Sequence, residues 1–189
     1  VLQPWQLFIQ CMIYGWVHRK AKTRRFRTAY IAVPRKNGKS VIAAGNGLFL
    51  FAADREYGSE VYCGATNEKQ ALEVFRPAKA MAKKTPDLLA HFGIEVNAKS
   101  LFIGNDESRF EPVIGDPADG ASPHCFIIDE YHEHRTSAML DTAQTGMMAR
   151  EQPLTLIITT AGFNVDGACY QFELDIRDLL EGKRQDDQT

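Results

Sequence analysis

Four short apolar runs, each followed by a helical pattern, limit the possible folds of this chain more than any other feature. The runs are rich in β-branched and aromatic residues and are apolar on both faces, which is typical of strands buried in a parallel sheet. Strands that alternate with helices predict an α/β fold with a mostly parallel central sheet flanked by helices. The predicted strands are 28–33, 59–66, 125–130 and 154–162, and the helices that follow them are 39–54, 67–84, 137–150 and 168–182.

Three other segments complete this pattern. Residues 4–18 carry apolar side chains at helical spacing and predict an amphipathic helix before the first strand. Residues 94–114 alternate apolar and polar residues and predict a small β insertion, with turns at 98–99 and 105–106. The stretch 18–27 contains six Lys or Arg residues. We interpret it as a solvated connection, with contact to DNA phosphates as the alternative.

Composition narrows the class of protein. The chain has 189 residues, of which 44% are hydrophobic and 24% charged, as expected for one globular domain. Its net charge of −2 excludes a generally basic nucleic-acid-binding protein, so any contact to DNA has to come from a local patch. No segment is apolar enough to span a bilayer, and we expect no membrane partner. The four widely spaced cysteines predict reduced thiols rather than disulfides or a zinc site.

The stretch "VPRKNGKSV", residues 33–41, has the ending of a phosphate-binding loop. Gly-Lys-Ser alone is weak evidence, because it arises by chance in roughly one chain in ten of this size. Here it follows a predicted buried strand and opens a predicted helix, as the loop requires. We predict that the backbone N–H groups of Lys36, Asn37, Gly38, Lys39 and Ser40 face the phosphates of a nucleotide. Val33 departs from the pattern, which has glycine at this position, and Pro34 is expected to rigidify the turn instead.

Side chains in and beyond this loop have distinct predicted roles. Lys39 is expected to reach the β- and γ-phosphates, and the Ser40 hydroxyl to ligate Mg²⁺. Asp129 ends a predicted strand and is the expected second Mg²⁺ ligand. Glu130 follows directly and is the predicted general base for the attacking water. The alternative is a solvated end of a strand, but two adjacent acids rarely interrupt an apolar run without a reason.

The segment "TTAG", residues 159–162, ends the last predicted strand. Thr159 or Thr160 can hydrogen-bond the γ-phosphate or its water, and a Thr-rich strand end with a turn glycine is the equally weighted alternative. Ligands of parallel sheets bind at the carboxyl ends of the strands. The phosphate loop, the acid pair and this segment all fall on that edge, and their convergence predicts one nucleotide site.

Taken together, these segments resemble the ATPase domain of large terminase subunits, the motors that package DNA in tailed double-stranded DNA phages and prophages. The resemblance spans nearly the whole chain, and its most specific part is the combination of "PRKNGKS", "IIDE-x-H" and "TTAG". It implies a P-loop NTPase of the ASCE or RecA-like type, whose loop often lacks the first glycine. The matching segments are "LQPWQ", "VPRKNGKS", "VYCGATNEKQALEVF", "DGASPHCFIIDEYHEHR" and "LIITTAG".

The resemblance also implies roles for individual residues. Arg35 corresponds to a loop arginine that stabilises charge on the γ-phosphate, and Thr66 and Gln70 to residues that can face DNA. The family has a coupling motif that links ATP hydrolysis to movement, and the residues of this chain that match it are Thr159, Thr160, Ala161 and Gly162. The segment that contacts adenine corresponds to Gln3, Pro4, Trp5 and Gln6, although Trp5 equally suits the core.

At the level of the whole protein, the resemblance implies Mg²⁺-dependent ATP hydrolysis that drives double-stranded DNA into a procapsid. We expect residues 1–182 to form the ATPase domain and 183–189 to begin a linker, with the family's nuclease domain missing from a chain that we interpret as a fragment. The implied partners are double-stranded DNA, the portal protein of the procapsid, the small terminase subunit and further copies of the chain in a ring, for which we expect five members. The expected location is the host cytoplasm.

Two other functions remain open at this point. A helicase would need a second ATPase-like domain, and a catalytically silent nucleotide-binding assembly module would show no turnover. A ring motor also needs an arginine that reaches the neighbouring site, and Arg109, Arg135 and Arg150 are all candidates. We do not expect His132 and His134 to bind zinc, because in an extended segment they point to opposite sides.

Overall fold

A seven-stranded sheet organises the computed structural model, which describes residues 2–115, 120–160 and 164–184. The strand order is β1-β7-β6-β2-β5-β4-β3. The strands are β1 (Thr28–Ala32), β2 (Glu60–Ala65), β3 (Ile94–Val96), β4 (Leu101–Ile103), β5 (Ser108–Ile114), β6 (Cys125–Asp129) and β7 (Leu154–Thr159). The helices are α1 (Pro4–Tyr14), α2 (Lys39–Ala52), α3 (Glu68–Lys83), α4 (Pro86–Phe92), α5 (Ala138–Gly146) and α6 (Ala168–Leu180).

Five neighbouring strands are parallel, as predicted. β1 pairs with β7, β7 with β6, β6 with β2 and β2 with β5, all in parallel register. The predicted β insertion extends this same sheet, because β5 lies beside β2 in parallel and β4 pairs with both β5 and β3. Among the described strands, β4 alone runs antiparallel to the others. The prediction of an α/β fold with a mostly parallel sheet is therefore confirmed.

Helices cover both faces of the sheet. The larger apolar cluster joins α2 and α3 to one face, and the smaller cluster joins α5 and α6 to the other. Strand residues alternate between the two clusters: Ile127 lies in the first, while Phe126 and Ile128 lie in the second. Burial on both faces explains why these strands read as continuous apolar runs. Within the described ranges, no helix is long and apolar enough to cross a membrane.

Several predicted boundaries differ from the structure. Helix α1 ends at Tyr14 rather than at residue 18, because Gly15 follows and the chain then forms a hairpin with a bridge between Val17 and Arg24. Helix α4 is absent from the sequence prediction; it has Pro86 in its first turn and a left-handed Gly93 directly after it. Pro77 lies inside α3, which continues through it.

Two glycines permit close packing against the sheet. A Cβ atom at Gly47 of α2 would lie 2.7 Å from Phe110 Cζ and 3.1 Å from Ile127 Cδ1. A Cβ atom at Gly64 of β2 would lie 2.5 Å from the Phe126 ring. Both distances are shorter than van der Waals contact, so these positions exclude any larger side chain without a shift of the core.

A buried ionic network ties together the edge of the sheet where the parallel strands begin. Arg24 donates from Nη1 and Nη2 to the Asp54 carboxylate at 3.1 and 2.9 Å, and His124 Nε2 lies 2.6 Å from Asp54 Oδ2. Burial alone would raise the pKa of Asp54, but hydrogen bonds from His124 and Arg24 outweigh it and hold this pKa below its ordinary value.

Candidate nucleotide-binding site

The phosphate loop leaves the sheet between β1 and α2. Val33 still donates its N–H to the Thr159 carbonyl at 3.1 Å, so the chain continues strand pairing at this position. Val33 does not have a positive φ, so this position does not need the freedom of glycine, which explains how valine is accommodated. Gly38 immediately precedes α2 with φ of 74°, a left-handed conformation that favours glycine. The Asn37 side chain donates to the Pro34 carbonyl at 3.0 Å and holds the loop closed.

The first turn of α2 meets the end of β6. The buried Lys39 ammonium forms an ion pair with Glu130 Oε1 and lies 3.9 Å from Asp129 Oδ1. The Ser40 hydroxyl donates to Asp129 Oδ2 at 3.4 Å. The structure thus brings together four of the predicted site residues, and two of these, Lys39 and Glu130, are 91 positions apart in sequence.

The two acids at the end of β6 differ in their surroundings. Burial raises the pKa of Asp129 to about 6; the Lys39 ammonium opposes this rise and the Glu130 carboxylate adds to it. Glu130 has φ of 49°, and its backbone N–H donates to Asp129 Oδ1 at 2.8 Å. Glu130 Oε2 is buried and has no hydrogen-bond partner among the described residues. The site therefore holds one acid with a raised pKa and one buried carboxylate oxygen without a hydrogen-bond partner among the described residues.

Thr159 at the end of β7 faces the same corner. Its hydroxyl lies 3.2 Å from His132 N and 2.9 Å from His132 Nδ1, and it donates to the Thr160 carbonyl at 3.0 Å. Both threonines are buried. The other two residues of the predicted coupling motif, Ala161 and Gly162, lie outside the described residues.

Sequence reasoning missed the place of His132. Tyr131–Glu133 forms one turn of 3₁₀ helix, so the expectation of an extended segment is wrong. The turn directs His132 to Thr159, while His134 Nε2 lies 3.4 Å from the Asp129 carbonyl. The contact of His132 with Thr159 had one signal in the sequence: β6 and β7 both end in polar residues, and parallel pairing places these strand ends side by side. Across the described ranges, no group of three or more His, Cys, Asp or Glu side chains is arranged to hold a metal ion.

The segment before the loop lies close to it. Gln3 and Pro4 begin α1, and Gln3 N donates to Gln6 Oε1 at 2.9 Å. Gln6 Nε2 lies 3.7 Å from the position of a Cβ atom at Gly38, so this side chain reaches the phosphate loop. A groove of about 790 Å³ runs from there between α1 and α2. Trp5 is half-buried and does not line the groove.

Two loop side chains remain open to solvent. Arg35 and Lys36 are exposed, and Lys36 has φ of 66°. The structure places both in the loop but shows neither in contact with Glu130 or Asp129. Their expected roles toward the phosphates remain predictions.

Two of the three candidate arginines lie far from this corner. Arg109 pairs with Glu60 at 3.0 Å, where β2 and β5 begin. Arg150 pairs with Glu56 at 3.3 Å and donates to the Ser122 carbonyl at 2.8 Å. Both are therefore committed to contacts at the edge of the sheet opposite the phosphate loop.

Arg135 follows β6 and lies on the same edge as the phosphate loop. It lines a cleft of about 480 Å³ together with Thr66 and Glu133. The Thr66 hydroxyl donates to Gln70 Oε1 at 2.7 Å, and Gln70 Nε2 donates to Glu133 Oε2. The two residues with a predicted role toward DNA thus contact each other and the turn that carries His132.

Comparison with known proteins identifies the fold. A family model described as "Terminase large subunit, ATPase domain" matches residues 4–177. The large terminase of bacteriophage HK97 is similar in structure, with a TM-score of 0.78 and 24% sequence identity over 97% of this chain and 37% of that one. The ATPase domain of the Thermus phage P74-26 large terminase is also similar, with a TM-score of 0.60 and 20% identity over 87% of this chain and 72% of that one.

A curated protein matches a shorter segment. Protein YmfN of Escherichia coli (strain K12) is 50% identical over 70 residues, which is 37% of this chain and 15% of YmfN. The chain thus covers much less than two thirds of YmfN and of the HK97 large terminase. The structural similarities confirm the predicted P-loop fold of terminase ATPase domains.

Proposed function

The chain belongs to the family of terminase large subunit ATPase domains, and on this basis we propose that it hydrolyses ATP to drive double-stranded phage DNA into a capsid. The observation that carries the proposal is the cluster of Lys39, Ser40, Asp129 and Glu130 at the edge of the sheet where the parallel strands end. An ammonium, a hydroxyl and two carboxylates at the start of a helix are the groups that phosphoryl transfer from a nucleotide requires.

The loop and α2 supply the binding groups for the triphosphate. Backbone N–H groups from Lys36 to Ser40 and the N-terminal end of α2 favour negative charge. Lys39 is the proposed ligand of the β- and γ-phosphates, and the exposed Arg35 is a proposed additional planar donor toward the γ-phosphate. The segment Gln3–Gln6 approaches the loop through Gln6 and is the proposed adenine contact.

The residues present fit a Mg²⁺ ion. Ser40 and Asp129 offer a hydroxyl and a carboxylate that already contact each other, and Mg²⁺ prefers such oxygen ligands with water and phosphates completing its shell. When bound, the ion neutralises charge on the phosphates. The pKa of about 6 for Asp129 is compatible with this role, because a nearby cation favours the ionised carboxylate.

Glu130 is the proposed general base. Its Oε2 atom is buried and lacks a hydrogen-bond partner among the described residues, so it can accept a proton from a water placed beside it. Thr159 and Thr160 lie at the adjacent strand end. With Ala161 and Gly162 they form the proposed segment that transmits hydrolysis to movement.

The partners of the whole protein follow from the family and are also proposals. They are double-stranded DNA, a portal protein and procapsid, a small terminase subunit and further copies of this chain in a ring, in the cytoplasm of the host. The exposed edge that carries Arg135 is the proposed side for contact with a neighbouring copy. That residues 1–189 lack nuclease activity stays a prediction.

ATP turnover and ATP binding by three single variants of the full-length protein test the enzymatic proposal. Glu130→Ala is expected to lower kcat by at least about 100-fold while binding ATP, because it removes the base. Lys39→Ala is expected to lose both activities. Glu95→Ala is the matched control, since this exposed carboxylate of β3 lies outside the site.

Each rival function has its own outcome in this experiment. A wild-type protein that binds ATP without turnover, with or without DNA, would support the silent assembly module. Strand separation by the full-length protein would support a helicase. Unchanged turnover in Glu130→Ala or Lys39→Ala would refute the assigned roles.

A further inference from the structure

His132 lies between the proposed base and the proposed coupling segment. Its Nδ1 atom is 2.9 Å from the Thr159 hydroxyl and 3.3 Å from Glu130 Oε2. We propose that His132 is a positioning residue that holds the Glu130 carboxylate and the end of β7 in a fixed relation. This inference rests on the proposed ATPase function and extends it to a residue that has no assigned role.

Hydrogen-bond counting favours the tautomer of His132 with the proton on Nδ1. The Thr159 hydroxyl has one proton, which it gives to the Thr160 carbonyl. Its lone pairs therefore accept, one from the backbone N–H of His132 at 3.2 Å and one from Nδ1–H at 2.9 Å. Two donors from one residue converge on one hydroxyl, so the imidazole ring is held in a single orientation against β7.

The same proton is close to the catalytic carboxylate. Glu130 Oε1 is paired with Lys39, whereas Oε2 lies 3.3 Å from Nδ1 without hydrogen-bond geometry. A donor beside an unsatisfied buried oxygen attracts it electrostatically. It therefore restricts the rotamers of Glu130 without occupying the oxygen that has to accept a proton.

The turn that carries His132 is anchored in the core. Tyr131 is 1% exposed and packs edge-on against Phe172 of α6, with ring centroids 6.1 Å apart. Glu133 N donates to the Glu130 carbonyl at 2.8 Å and closes the turn. Because the turn is fixed on α6 and tied to β7 through Thr159, a displacement of β7 reaches the side chain of Glu130 through His132.

ATPase kinetics of His132 variants in the full-length protein test this inference. His132→Leu removes the donor but keeps the volume, and we expect kcat to fall about tenfold, the loss of one hydrogen bond to a charged or buried group. The KM for ATP is expected to change less than about twofold, because His132 does not touch the phosphate loop. His132→Asn places an amide nitrogen near the position of Nδ1 and is expected to restore kcat to within about threefold of the wild type.

A double-mutant cycle separates positioning from a general structural effect. Thr159→Val removes the hydroxyl that orients the ring, so the combined His132→Leu, Thr159→Val variant is expected to be about as slow as the slower single variant. His91→Leu, on the exposed side of α4, controls for the loss of any imidazole. Thermal unfolding of every variant controls for folding.

The outcomes are distinct. Wild-type kcat in a folded His132→Leu, equal loss in the Leu and Asn variants at equal stability, or fully multiplicative effects in the cycle would each overturn the positioning role. A wild-type protein without ATP turnover would instead overturn the proposed function on which this inference rests.

Discussion

The same substitution, glycine to alanine, is expected to have different effects on stability at two positions of α2. A Cβ atom at Gly45 would meet no other atom within 4 Å, because this position faces the groove beside α1. A Cβ atom at Gly47 would lie 2.7 Å from Phe110 Cζ and 3.1 Å from Ile127 Cδ1. The two positions lie in one helix, so they differ in tertiary contact and not in secondary structure.

The magnitudes follow from two opposing effects. Replacing a glycine inside a helix by alanine stabilises the folded state by about 0.5–1 kcal/mol, since the unfolded chain loses freedom. Gly45→Ala is expected to gain this amount. Gly47→Ala gains it too, but forces a methyl group against two side chains that are 0% exposed, which costs about 1–3 kcal/mol. The free energies of unfolding of the two variants should therefore differ by about 1–3 kcal/mol.

Urea unfolding of both variants and the wild type measures this difference. With equal m-values, the midpoints rank Gly45→Ala above the wild type and Gly47→Ala below Gly45→Ala. Thermal midpoints for a domain of this size shift by about 2–4 °C for each kcal/mol. Equal stability of the two variants would refute the inference that α2 packs so closely on the sheet at Gly47 that no larger side chain fits there.

Two further predictions concern buried acids. Asp129→Asn is expected to abolish hydrolysis but to increase the stability of the folded state at pH 7. The pKa of Asp129 is raised to about 6 in the folded state, so ionisation of this carboxyl destabilises the folded wild type as pH rises from about 4 to 6. In urea unfolding, the difference in stability between the variant and the wild type should therefore grow over that pH range. A pH-independent difference would contradict this. Asp54→Asn is expected to cost about 3–5 kcal/mol, because it leaves the buried Arg24 without its counter-charge. The pKa of Asp54 is lowered in the folded state, so its contribution to stability is present above the ordinary value of about 3.9 and is lost as pH falls through the folded pKa. In acid unfolding, the stability of the wild type should therefore fall over this pH range more than the stability of Asp54→Asn.

The fold is largely predictable because burial leaves a local signature. Strands covered on both faces read as apolar runs, and the predicted bounds of β1, β2, β6 and β7 agree with the structure to within about three residues. Strand order is not predictable from these runs, since pairing of β2 with β5 and β6 joins residues distant in sequence. The short helix α4 carries recognisable signals in Pro86 and Gly93, but its seven residues are too few for a clear periodicity.

The sequence predicts which strand ends form the site, but not how their side chains pair. Parallel strands bring their carboxyl ends to one edge, and on that ground Lys39, Asp129 and Glu130 are expected to meet. Side-chain pairing depends on register and rotamers that the sequence does not display. The contact of His132 with Thr159 is of this kind, because it follows from the 3₁₀ turn after β6 and from the register of β6 with β7.

The ion pair of Lys39 with Glu130 has a consequence for which anions can bind in the phosphate loop. An incoming anion has to draw the ammonium away from a carboxylate in a partly dehydrated corner, where such a pair is costly to break. A singly charged anion gains little from this exchange, whereas a triphosphate offers many negative oxygens to one cation. If the loop binds a nucleotide as proposed, this ion pair would favour highly charged ligands and would release the Glu130 carboxylate only after such a ligand has bound.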